Sequence, residues 1–70
     1  MNSMHGELPI GFAMSLSMSP SAMKYYSTLS LEQQTDIVKY VQNNNTGIEA
    51  KQKVYNAIQG LENNNLDFLI

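Results

Sequence analysis

Few side chains in this sequence are equipped for chemistry. The one imidazole is His5, and the carboxylates are Glu7, Glu32, Asp36, Glu49, Glu62 and Asp67. General acid–base catalysis needs such groups held within reach of a substrate proton. Glu32 and Asp36 come nearest, because a spacing of i, i+4 puts them on one helix face. Both fall near the start of a predicted helix, however, where negative charge complements the free N–H groups, and that role accounts for them without catalysis. A serine nucleophile needs an ordered base beside it. His5 sits in residues 1–7, which have no apolar period and read as a mobile N-terminus. His5 and Glu7 together offer two metal ligands, where a stable site takes three or four. The chain has no cysteine, so thiolate metal sites, iron–sulfur clusters, disulfides and cysteine nucleophiles are excluded. Gly6, Gly11, Gly47 and Gly60 stand alone and none precedes Lys-Ser or Lys-Thr, so there is no phosphate-cradling loop. The sequence predicts a protein that is not an enzyme, with no catalytic residue, no cofactor and no metal.

Charge sets the next limit. In 70 residues there are four lysines, no arginine and a net charge of -2. Nucleic-acid binding draws its affinity from neutralised phosphates and much of its base readout from arginine. Lys51 and Lys53 are two apart on a predicted helix and point in different directions, while Lys24 and Lys39 lie elsewhere. A DNA-associated helix–turn–helix regulator is therefore the alternative function, and nucleic acid is not the expected partner. No basic start precedes an uninterrupted apolar run, and no stretch approaches the roughly 20 apolar residues of a membrane span. A cytoplasmic location with no membrane partner is expected.

The elements can be read from local signals. With 43% hydrophobic and 14% charged residues, the chain has the composition of one small globular domain, expected over residues 8–65. From Ile10 to Met18 apolar residues alternate strictly with small or polar ones, which alone argues a strand. Met, Ala and Leu favour helix, β-branched residues are nearly missing and Pro9 suits a first helical turn, so a helix over 9–18 is adopted. In it Phe12 and Leu16 stack, with Met14 and Met18 beside them, and Gly11 and Ser15 form a small-residue stripe. Ser19-Pro20 marks a second start, giving 20–28 with an apolar face of Ala22, Met23, Tyr26 and Leu29. Ser30-Leu31-Glu32-Gln33 and Thr46-Gly47-Ile48-Glu49 both fit the capping box. They open helices 31–43 and 47–62, whose inner faces are read as Leu31, Ile37, Val38 and Val41, and as Ile48, Val54, Tyr55, Ile58 and Leu61. Two Asn triplets, 43–45 and 63–65, close them, because Asn competes for backbone hydrogen bonds. The fold class is all-α: a small four-helix domain of short helices with a C-terminal helical hairpin.

More apolar surface remains than such helices hide. All five methionines lie in the first third of the chain, and residues 66–70 form an apolar C-terminal tail, Leu66-Asp67-Phe68-Leu69-Ile70. A protein–protein interaction or self-association module is the leading function, with a protein partner or a homodimer burying Phe12, Leu16, Met18, Phe68 and Leu69.

Two resemblances accompany these readings. Residues 8–23, LPIGFAMSLSMSPSAM, followed by Tyr26, Leu29-Ser30-Leu31-Glu32-Gln33 and Ile37-Val38, resemble a family of small uncharacterised proteins from clostridia and related bacteria. Leu29, Ser30, Tyr40, Val41, Val54, Ile58 and Leu61 are similar to the C-terminal helix pair of bacteriocin-protection (YdeI/OmpD-associated) proteins. That resemblance implies a shared helix pair and, as a third functional reading, an immunity-type protective role. The basic residues which those proteins carry at the turn and in the second helix are replaced here by Asn45, Ala50 and Gln52.

The charge argument yields a direct test. At ~150 mM salt and micromolar concentration the protein should not shift mixed duplex DNA in a mobility assay. A submicromolar, salt-sensitive complex would instead establish the regulator.

Overall fold

A computed structural model describes residues 8–70. Within them the chain forms four α-helices, α1 (Ile10–Ser17), α2 (Pro20–Thr28), α3 (Leu31–Gln42) and α4 (Gly47–Glu62), then a 3-10 turn at Asp67–Leu69. The all-α expectation holds, and the strand alternative for residues 10–18 does not. Pro9 stands just before α1, and its carbonyl accepts the first helical bond from Ala13 N–H at 2.9 Å. The lost proline N–H therefore costs the helix nothing.

The caps are built from the signals in the sequence, with two departures. At α3 the capping box is complete: Gln33 N–H donates to Ser30 Oγ and Ser30 N–H donates to Gln33 Oε1. At α4, Glu49 N–H donates to Thr46 Oγ1, but Glu49 Oε1 accepts from Asn45 N–H, one residue earlier than the box requires. The other Glu49 oxygen lies 3.8 Å from Lys53 Nζ, so the carboxylate bridges the turn before α4 to the helix's second turn. Ser19 is the second departure. It has the extended backbone of an N-cap, yet its hydroxyl makes no capping bond and donates to Glu62 Oε2 at 2.5 Å. A carboxylate is the stronger acceptor, and this bond ties the α1–α2 corner to the end of α4.

The two Asn triplets end their helices differently. Asn64 takes a left-handed conformation, φ 57°, while Asn65 N–H reaches Gly60 O at 2.9 Å and Asn64 N–H reaches Leu61 O at 3.1 Å. This is a Schellman motif with Asn in the place usually held by Gly. At α3 no left-handed residue appears; Asn44 Nδ2 donates to Val41 O at 2.9 Å instead. The triplets are separate solutions to helix termination, not a repeated unit.

Beyond Asn65 the tail folds back on its own chain. Phe68 lies over Gly60 of α4, where a Cβ would come within 2.5 Å of the ring, and its centroid is 5.2 Å from that of Tyr40 on α3. Leu66, Phe68 and Leu69 are half-buried, and Ile70 is exposed.

The core is Phe12, Leu16, Ala22, Tyr26, Ile37, Val41, Ala57 and Leu61. It corrects several expected faces. Leu31 and Ile48 are exposed because each begins its helix, beyond the reach of the core, and Tyr55 projects from the flank of α4 beside a stripe of Val54, Ala57, Ile58 and Leu61. Met14 and Met18 point away from the buried pair Phe12 and Leu16.

The seat of the tail can be tested. Gly to Ala in a helix interior normally gains about 0.5–1 kcal/mol, but Gly60→Ala should cost about 1–2 kcal/mol here by overpacking against Phe68. In a Phe68→Ala background most of that cost should vanish. Urea melts of the four chains of this cycle decide it, and additive effects would refute the contact.

Candidate interaction surface

The acid–base candidates are dispersed or already engaged. Glu32 and Asp36 are exposed along α3, Glu49 binds Asn45 N–H and Lys53, and Glu62 accepts from Ser19. His5 and Glu7 lie outside the described residues. Among the described residues no three His, Asp or Glu side chains gather where they could hold a metal ion. Lys53 is likewise committed: its ammonium donates to Asn43 O and lies 5.2 Å from the Tyr40 ring centroid, closing the α3–α4 turn. Asn56 Nδ2 donates to Tyr40 Oη at 3.2 Å on the same seam.

The five residues expected to form a partner surface do not come together. Phe12 and Leu16 are enclosed, with exposures of 0% and 1%. Their i, i+4 stack is the contribution of α1 to the core, so they cannot meet a partner directly. Phe68 and Leu69 are half-buried on the tail, against α4 and α3. Met18 alone of the five is open to solvent.

What α1 does present is a different stripe. Ile10, Met14 and Met18, at i, i+4 and i+8, are 78%, 59% and 80% exposed. Beside this ridge runs an open groove of about 560 Å³, bounded by α1, by the end of α3 and by the middle of α4. Its wall and floor include Phe12, Val41, Val54 and Ile58, and Ile10 and Tyr55 stand at its edges. Gly11 and Ser15 also line it, and a Cβ at Gly11 would meet nothing within 4 Å. The expected small-residue stripe thus faces open space rather than a neighbouring helix. Lys51 is the one charged side chain in the lining. From Leu8 to Met23 no residue carries a charge, so the ridge is uncharged and Lys51 is the one charge on the groove beside it.

Sequence reasoning missed Ile10 and Tyr55 as surface residues. For Ile10 the signal was present in the unbroken lack of charge across α1, since a solvent-facing helix ordinarily carries charged residues on its outer side; for Tyr55, on the charged helix α4, there was none of that kind.

No protein-family model, no curated protein and no solved structure matches the chain. No helix among the described residues is long and apolar enough to cross a membrane.

Beneath the groove, the Phe12 ring meets Tyr26 edge-on at 5.7 Å and 74°. Burial pushes the Tyr26 phenol above its ordinary value. In the unfolded chain the phenol ionises near pH 10. The folded form holds its proton to higher pH, so this contribution is complete below about pH 10 and is lost as pH rises toward the folded value. Urea midpoints should accordingly decline above about pH 10, with a smaller decline in Tyr26→Phe. Identical alkaline profiles for both chains would show that Tyr26 plays no part.

Proposed function

We propose that this chain is a cytoplasmic protein–protein interaction module, without chemistry of its own, that works through the α1 ridge and the groove beside it. The observation that carries the reading is the character of α1. It buries Phe12 and Leu16 on one side, exposes Ile10, Met14 and Met18 on another and bears no charge on any side. A helix apolar or neutral all round is suited to burial all round, and a contiguous exposed apolar face marks an interaction site. Methionine strengthens the reading, because its unbranched thioether adapts to a partner's shape.

Site-specific photo-crosslinking in the host cell tests it. A photoreactive residue at Met14 or Tyr55 should yield discrete protein adducts, while the same residue at exposed Gln33 of α3 should not. Adducts from Gln33 as abundant as those from Met14, or none from either groove position, would sink the proposal.

A further inference from the structure

We infer that the occupant of this face is a second copy of the chain, related by a two-fold axis, so that the α1 ridge of each copy lies in the groove of the other. The inference rests on the interaction reading above and names its partner.

Three observations favour self-pairing. The first is shape. A two-fold interface uses the same patch twice and must be complementary to itself; here a convex ridge and a concave groove lie side by side on one face. Gly11 and Ser15, between them, add little bulk, so a facing Ile10 or Met14 can approach closely. The second is charge. No charged residue lies between Leu8 and Met23, and the groove contributes only Lys51, which is exposed and can extend to water at the rim. With a net charge of -2 on the whole chain, two copies repel weakly. The third is area. Ile10, Met14, Met18 and Tyr55, together with the groove, present on the order of 500 Å² per copy, and reciprocal burial then totals about 1,000 Å², the lower bound for a specific interface. A small ligand filling the groove alone would leave Met14 and Met18 in water, whereas a two-fold pair covers both. The modest area implies a reversible dimer rather than an obligate one.

Sedimentation equilibrium from micromolar to millimolar concentration tests the pair. Mass should rise from monomer to dimer within that range. Met14→Glu places charge on the ridge, and Gly11→Glu places it in the groove; each should raise the dissociation constant at least tenfold. Gly11→Glu separates association from folding. At the second position of α1 glutamate is a better helix former than glycine and complements the helix N-terminus. Its urea midpoint at the lowest concentration should therefore match or exceed the parent's. In mixed-label samples, isotope-filtered NOEs should connect the Met14 methyl of one copy to Val54 or Ile58 methyls of the other. A monomer at millimolar concentration overturns the inference, as does a dimer that both substitutions leave unchanged. Monomeric protein that still crosslinks through Met14 to another protein removes the second copy and leaves the interaction reading standing. Monomeric protein without such crosslinks removes both.

Discussion

The whole arrangement leans on one buried stripe, Ala57 and Leu61 of α4. α4 is the longest helix, 16 residues, and it packs against α1, α2, α3 and the terminal turn. In so small a domain no second layer can form, so a single helix must serve every other element as a common wall. The side chains along it are graded for that task. Leu61 fills the middle of the core, Ala57 is short enough for another helix to approach, and Gly60 has no side chain at all, which is why the Phe68 ring can lie on the backbone. The polar ties converge on the same helix. Ser19 reaches Glu62 at one end, and Lys53 and Glu49 fasten the turn at the other.

The starts of α1 and α2 were legible from Pro9 and Pro20, and those of α3 and α4 from their hydroxyl caps. A hydroxyl with an amide or carboxylate three residues on satisfies the free N–H groups within one turn, and Ser30 and Thr46 do this in the structure. Which side of a helix faces inward was harder to read. In α1 an alternation of period two places apolar residues on opposite sides of a helix of period 3.6, so Phe12 and Leu16 could not be told from Ile10 and Met14 by pattern. Only contacts with α2 and α4 decide between them. Tyr55 failed for a related reason: it adjoins Val54 in sequence but lies about 100° round the helix from it. The tail was legible as apolar and not as docked, because its seat is a residue with no side chain, Gly60, and an absence of atoms leaves no hydrophobic signal.

The candidate surface was half legible. Surplus apolar material in α1 and the tail could be seen in composition, but dividing it between core and exterior needed the folded chain. The tail's share went to the α3–α4 seam, where Phe68 meets Tyr40. The surplus left over lies on α1 and around its groove.

The placement of charge separates the two sides of the molecule. The described carboxylates with a long-range or turn-closing role, Glu49 and Glu62, hold α4 to its neighbours, so electrostatics here maintains structure. α1 itself carries no charged residue, and its fully buried side chains are Phe12 and Leu16. Ile10, Met14 and Met18 contribute little to stability, because substitutions at exposed positions ordinarily change it by no more than about 0.5 kcal/mol. Polar residues at those three sites would leave the core intact and the chain more soluble. The fold therefore does not require them. Under the proposed interaction reading they are the side chains left to meet a surface outside the protomer, beside a groove whose lining is mainly apolar.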